Sequence, residues 1–260
     1  MPHADPFHAS GDSTGVLLVH GFTGSPVSMR PWAEHLAAAG FTVSLPRLPG
    51  HGSTWQDLNR TRWQDWYAEV CRALDELMAT CDEVMVAGLS MGGCLALRLA
   101  EKRPAEVAGL ILVNPSIASL DRRLLAVPVL KHVRGSVKGI GNDTKKPGVE
   151  ESGYGCTPLK ALDSLRSLWR VTRGDLVQVT APLLVFRSAV DHVVQPVSAQ
   201  LITQLVSSSD VTERVLHNSY HVATLDHDAP SIFAESVAFI SSHSGRRSQL
   251  QPSPGGQHEI

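Results

Sequence analysis

The run "EVMVAGLSMGGCLALRLAEK", residues 83–102, constrains the fold more than any other stretch, because a short apolar run, a glycine-framed serine and a helical pattern follow without a spacer. "EVMVA" has the length and valine content of a buried strand, and "GGCLALRLAEK" has the spacing of a helix. Between them "GLSMG", residues 88–92, matches G-x-S-x-G in the setting that pattern requires, a sharp strand-to-helix turn with the serine at its apex. Side chains at 88 and 92 are expected to collide with the neighbouring strand and helix, so glycine stands at both. An isolated match would read better as a serine in a glycine-rich bend. The flanking elements instead make Ser90 a candidate nucleophile.

The rest of the chain keeps the same rhythm. Strands are predicted at 15–20, 42–45, 83–88, 107–113, 183–187 and 213–217, and helices at 26–39, 63–80, 91–103, 197–205 and 230–241. That alternation predicts an α/β fold, a mostly parallel sheet wrapped by helices, and 260 residues suit one such domain with a modest insertion. The stretch 119–175 breaks the rhythm with glycines and two adjacent lysines, and holds one amphipathic run, "LKALDSLRSLWRV", with Leu159, Leu162, Leu165, Leu168 and Trp169 at helical spacing. It is expected to be an insertion over one end of a core formed by 1–118 and 176–243. Residues 244–260 are polar and rich in Gly and Pro, which predicts a disordered tail.

Composition excludes several function classes. Charged residues are 18% and the formal net charge is −2, so no broad basic face for nucleic acid is expected. No stretch of about 18 unbroken apolar residues predicts a transmembrane segment, and the first thirty residues lack a basic start followed by a long apolar run, so the protein is expected to be soluble and not exported. Cys71, Cys81, Cys94 and Cys156 show no C-x-x-C pairing and read as reduced thiols of a cytoplasmic protein.

A serine hydroxyl needs a base within hydrogen-bond reach, and imidazole is the usual one. In the order Ser…Asp…His the base should follow the last strand, where "RVLHNSYHVATLDHD" offers His217, His221 and His227. His217 lies within the strand pattern and His227 in a polar run, whereas His221 falls in the loop past the strand, at the edge where open parallel sheets gather ligands. The acid that orients it should sit on the loop after the preceding strand, where "PLLVFRSAVDHVVQP" supplies Asp191; Asp226 and Asp228 follow the histidine and are in the wrong order. An oxyanion requires two N–H donors, one from Met91 and a second from Phe22 in the loop "LLVHGFTGSP", where Gly21 and Gly24 permit close approach. His20 is expected to hold that loop by hydrogen bonds.

Taken together, "HGFTGSP", "PRLPGHG", "GLSMGG", "SAVDHVV" and "SYHVATLD" resemble the bacterial monoacylglycerol lipase and carboxylesterase branch of the α/β-hydrolase fold, over about residues 16–242. The resemblance implies a serine nucleophile at Ser90, an acid at Asp191, a base at His221, oxyanion amides at Phe22 and Met91, and a small cap over the site formed by 119–175. It also implies that Glu151, with Glu150 as its rival, accepts hydrogen bonds from glycerol hydroxyls. Ile140 and the apolar residues of "LLAVPVLKHV" would line an acyl channel, although packing within the cap explains them almost as well. The expected substrate is a small-molecule ester, foremost a monoacylglycerol, with short or medium alkyl esters and then thioesters as alternatives, and no cofactor or metal is needed. A ligand-binding scaffold without catalysis is the rival class. The apolar cap residues leave two partners open, a second copy of the chain or a membrane surface.

Overall fold

Runs such as "TGVLLV" and "VAGLILV" bury nearly every residue, as strands covered on both faces must. The computed structural model describes residues 4–139, 141–149, 151 and 153–245. In chain order its regular elements begin with β1 (Phe7–Ala9), β2 (Thr14–Val19), α1 (Arg30–Ala38), β3 (Thr42–Leu45), α2 (Trp55–Leu58), α3 (Trp63–Met78), β4 (Glu83–Leu89), α4 (Met91–Lys102) and β5 (Val107–Val113). There follow α5 (Val127–Leu130), β6 (Ser136–Lys138), β7 (Cys156–Pro158), α6 (Leu159–Asp175), β8 (Leu183–Ser188), α7 (Val197–Leu205), β9 (Val211–Leu216) and α8 (Ala229–His243).

Seven strands form one sheet in the order β1-β3-β2-β4-β5-β8-β9, parallel except for β1, which runs antiparallel to β3 with Phe7 opposite Leu45. Strand alternation divides the core in two. Leu17, Val19, Val86 and Leu112 face α3, α4, α6 and α7, while Val16, Leu18, Ala87 and Ile111 face α1 and α8. The six predicted strands all form, with small shifts at their ends. His20 and His217 lie just past β2 and β9 rather than within them. The predicted helix 26–39 divides into a 3₁₀ turn over Pro26–Ser28 and α1, because Pro31 lacks an N–H and suits only a first turn.

The segment between β5 and β8 has two parts. The amphipathic run forms α6, whose Ala161, Leu165, Leu168 and Trp169 join the same apolar cluster as α3 and α4. Arg98 on α4 pairs with Asp175 at 2.6 Å, and the Trp63 N–H donates to Ser164 Oγ at 2.8 Å. The preceding stretch, with α5 and the antiparallel β6–β7 pair, crosses the loops that follow β2, β3, β8 and β9. Its outer surface exposes Leu120, Leu125, Val129 and Val133. At the other end, the Gly245 N–H donates to Glu83 Oε1 at 2.9 Å, and residues 246–260 of the expected tail lie outside the described residues. Among the described residues no helix is long and apolar enough to cross a membrane.

The tightest contact a helix makes with the sheet is at Gly92, in the first turn of α4. A Cβ there would stand 1.9 Å from the Val19 carbonyl oxygen, a clash with backbone that cannot yield. Gly92→Ala is therefore expected to destabilise the fold by about 3 kcal/mol or more. Chemical denaturation followed by circular dichroism would measure this, and an unchanged midpoint would contradict the packing.

Candidate active site

The turn between β4 and α4 carries Ser90 at φ 57° and ψ −117°, a conformation few side-chain-bearing residues adopt. Its N–H donates to Val113 O at 3.0 Å, and its carbonyl accepts from Cys94 N at 3.2 Å and Ser116 N at 3.1 Å, so the turn is tied to β5 and α4. The glycines around it act as the sequence suggests. A Cβ on Gly88 would meet Gly92 and Gly93 backbone at 2.4–2.5 Å, and one on Gly92 would enter the end of β2. Thr23 and Asn114 are the other described non-glycine residues with positive φ. Ser90 and Asn114 follow directly on β4 and β5, and Thr23 stands in the loop after β2, so backbone strain of about 1–3 kcal/mol per residue is concentrated along one edge.

Two further loops bring Asp191 and His221 to that edge. His221 Nδ1 lies 2.8 Å from Asp191 Oδ2, with both side chains buried, while Asp191 Oδ1 accepts from Val193 N at 2.8 Å and Val194 N at 2.7 Å. Because Nδ1 donates to the carboxylate, Nε2 is the ring atom left to accept a proton. Asn114 binds the same loop from below, donating through Nδ2 to His221 O at 2.8 Å and accepting from Ser188 N at 2.7 Å. Ser188 Oγ donates to Tyr220 O at 2.8 Å. The other two histidine candidates, His217 and His227, are exposed.

The loop after β2 lies against the serine: a Cβ on Gly21 would be 3.5 Å from Ser90 Cβ. Phe22 follows, its ring packed near Trp66 and His51, and Met91, on the other side, is fully buried at the start of α4. His20 holds this loop. Leu48 N–H donates to its Nε2 at 3.2 Å, which leaves Nδ1 to carry the ring proton and donate to Gly21 O at 3.0 Å. Glu151 approaches from the overlying segment, its Oε1 only 2.7 Å from where a Cβ on Gly24 would stand. Ile140, expected along the acyl channel, and Glu150, the rival of Glu151, lie outside the described residues. A groove of about 630 Å³ between α3, α5 and α6, lined by Arg62, Lys131 and Arg170 among others, contains none of the candidate residues.

Burial sets the electrostatics, and partners decide its outcome. His20 is buried with no carboxylate beside it, so desolvation lowers its pKa to about 4 and the ring is neutral. For His221 burial also lowers the pKa, but the Asp191 charge and hydrogen bond, with Glu151 and Asp143 further off, outweigh it and hold the ring above its ordinary range. Burial pushes Asp191 upward, and the His221 charge, its hydrogen bond and the Val194 and Val193 amides bring it below the usual carboxylate value. Burial raises the Glu151 pKa, opposed by His221.

Sequence reasoning missed Asn114, Asp143 and the structural part of Asp226. The Asp143 carboxylate accepts from His221 N and His192 N, and Asp226 from the N–H groups of Lys145, Lys146, Tyr220 and His227. Only Asp226 carried a signal, an acid five residues past the chosen histidine. Asp143 had none, since its partners lie 49 and 78 residues away. Among the described residues no group of three or more His, Cys, Asp or Glu side chains is arranged to hold a metal ion.

With this geometry in hand, comparisons with known proteins agree on the family. The alpha/beta hydrolase family model matches residues 16–244. The chain is 43% identical over 244 residues to a thermostable monoacylglycerol lipase of Bacillus sp. strain H-257, covering 93% of this chain and 96% of that protein. It is 27% identical over 236 residues to a carboxylesterase of Bacillus subtilis, covering 90% and 95%. Among solved structures, one from the work on LipS and LipT, two metagenome-derived lipolytic enzymes, superposes with a TM-score of 0.91 at 40% identity, covering 94% of this chain and 99% of that one. A monoacylglycerol lipase of Paleococcus ferrophilus shares the fold, with a TM-score of 0.79 at 19% identity over 92% and 98% of the two chains.

The contrast between the buried imidazoles of His20 and His221 can be measured without any substrate. In an NMR titration of histidine-labelled protein, His221 is expected to titrate above 6.5 and His20 near 4. Asp191→Asn removes the charge that favours the imidazolium, so it should move the His221 midpoint downward. An unmoved midpoint would mean that the two groups are not coupled.

Proposed function

The chain belongs to the alpha/beta hydrolase family, and from that membership we propose that it is a carboxylic ester hydrolase in which Ser90, His221 and Asp191 act as nucleophile, base and acid. One observation carries the reading: a buried imidazole, hydrogen-bonded to a buried carboxylate at 2.8 Å, on the same sheet edge as a serine held at positive φ. His221 Nε2 takes the Ser90 proton as Oγ bonds to the ester carbonyl carbon, and Asp191 stabilises the imidazolium that forms. Charge gathering on the carbonyl oxygen is met by the Phe22 and Met91 N–H groups. The tetrahedral adduct then collapses, the C–O bond to the alcohol breaks, and the alcohol leaves with the proton from His221. Water, giving its proton to the same ring, attacks the acyl-enzyme and releases the acid and free Ser90.

The preferred substrate on this reading is a monoacylglycerol. Supporting it are the 43% identity to a monoacylglycerol lipase over 96% of that protein's length and the approach of Glu151 to the Gly21–Gly24 loop, where its carboxylate can accept from glycerol hydroxyls. The segment 119–175 serves as the cap, anchored to the core by α6, with its earlier part roofing the acyl site. A general short- or medium-chain carboxylesterase is the second reading, favoured by the likeness to the Bacillus subtilis enzyme. All four cysteines are free thiols, which suits a cytoplasmic location.

Two measurements test these statements. Ser90→Ala is expected to lower turnover of p-nitrophenyl butyrate by about 10⁴–10⁶-fold and to abolish labelling by a fluorophosphonate probe, and near-normal turnover would end the proposal. On a panel of mono-, di- and triacylglycerols and alkyl esters the monoacylglycerols should be cleaved fastest. At a pH where His221 is neutral, Glu151→Gln should raise KM for the monoacylglycerol by about tenfold while leaving p-nitrophenyl butyrate within about twofold. Preference for alkyl esters, indifferent to Glu151, would select the second reading.

A further inference from the structure

Asp143 stands in the stretch that crosses the site, at neither end of a regular element, yet its carboxylate is buried at 7% exposure. A buried carboxylate is costly unless donors surround it. Here Oδ2 accepts from His221 N at 3.2 Å and from His192 N at 3.2 Å, and Oδ1 lies 2.7 Å from His192 Nδ1. The donors belong to the two loops that carry the acid and the base: His221 itself, and His192, the residue after Asp191. The Asp143 main chain adds to this, its carbonyl accepting from Val222 N at 3.1 Å. Asp226 answers from the opposite side, accepting from Lys145 N at 2.6 Å, Lys146 N at 2.9 Å and Tyr220 N at 3.0 Å. The two acids thus stitch residues 143–146 to 220–222 reciprocally.

The backbone of His221 is therefore held from both sides, its N–H by Asp143 and its C=O by Asn114 Nδ2 at 2.8 Å. The His192 ring, edge-on to Tyr220 with centroids 4.7 Å apart, braces the same junction. Nothing else among the described side chains binds both loops through their backbone N–H groups.

We propose that Asp143 is a positioning residue of the active site: it fixes the Asp191 and His221 loops to each other and to the overlying segment, so that the imidazole is held at its working orientation. This inference rests on the proposed hydrolytic role of His221. It assigns the stretch over the site a part in the proton relay, besides covering the substrate. Its charge has an effect separate from its hydrogen bonds. The ionisable groups around His221 are Asp191 from the loop after β8, Asp143 and Glu151 from the overlying segment, and His192 beyond Asp143. All three carboxylates favour the protonated ring, so removing one shifts its titration to lower pH.

Two variants separate the roles. Asp143→Asn keeps an oxygen that can accept from both backbone N–H groups while losing the charge and the acceptor facing His192 Nδ1, whereas Asp143→Ala loses every acceptor. On p-nitrophenyl butyrate, Asp143→Ala is expected to lose about 10–100-fold in kcat with KM within about threefold, because a misoriented base affects the chemical step rather than binding. Asp143→Asn should recover most of that kcat, to within about fivefold of the unaltered protein, while its kcat/KM acid limb and the NMR midpoint of His221 both move to lower pH. The inference is overturned if both variants keep the original kcat and His221 midpoint. It is overturned equally if Asp143→Ala melts at a lower temperature yet, while folded, turns over normally. Should Asp143→Ala not fold, the Asp143→Asn midpoint decides by itself. That midpoint needs no turnover, so it stands apart from failure of the hydrolytic reading, which would appear as an unaltered protein with no Ser90-dependent turnover or labelling.

Discussion

Ser90 can occupy φ 57° and ψ −117° only because its surroundings leave the chain no other path. The strain of about 1–3 kcal/mol is imposed by β4 on one side and α4 on the other, brought so close that Gly88 and Gly92 touch backbone where any other residue would carry a Cβ. The constraint propagates outward. The end of β2 must pass against Gly92, which sets the Gly21–Gly24 loop beside the serine, and the end of β5 must receive the Ser90 N–H, which places Asn114 at positive φ within reach of the His221 loop. The loop after β2 and, through Asn114, the His221 loop are thus positioned relative to one turn in the middle of the sheet.

Two histidines on this edge show how the same burial leads to opposite ionisation. Desolvation disfavours the imidazolium in both. His20 meets a carbonyl, a backbone N–H and the edge of the His51 ring but no carboxylate, so desolvation prevails and the ring serves as a neutral brace between Gly21 and Leu48. His221 faces Asp191 at 2.8 Å with Asp143 and Glu151 nearby, and attraction to three carboxylates overcomes the same penalty. Donors converge on two of those carboxylates, and at Asp191 they help bring the pKa below the usual carboxylate value despite burial. Asp191 receives two backbone N–H groups besides the imidazole, and Asp143 receives two besides the His192 ring. The polar network is costly to bury and worth keeping only when fully satisfied, which is why the loops over and under His221 are so closely stitched.

Local chemistry made much of this readable in advance. Six parallel strands announced themselves as short Val-, Leu- and Ile-rich runs, the inner ones most plainly, since a strand covered on both faces has no polar residues to spare, whereas the edge strand β9 keeps Thr, Glu and Arg. The glycine-framed serine was readable because it is a steric demand confined to five consecutive residues. Asp191 and His221 could be picked out because each follows a strand, and the chain order of a parallel sheet assigns all such loops to one edge. Less was visible where the determinants are distant. β1 is three residues in a polar stretch and becomes a strand only by pairing with β3, and β6 and β7 are equally short and define each other. The amphipathic run of α6 was evident, but its partners on α3 and α4 were not, because a stripe of leucines does not say which surface covers it.

The amino-acid order alone established the layered α/β architecture and the bend at Ser90, and it singled out Asp191 and His221 as candidates for acid and base, because periodicity, sterics and chain topology act within reach of neighbouring residues. Folding in three dimensions settled the matters that depend on burial and on contacts between remote segments. It left His20 neutral and His221 beside three acids, brought Glu151 to Gly24, and set Asp143 on the N–H groups of loops 49 and 78 residues away. Charge and hydrogen bonding in a low-dielectric interior are properties of an assembled neighbourhood, and no local pattern of residues encodes them.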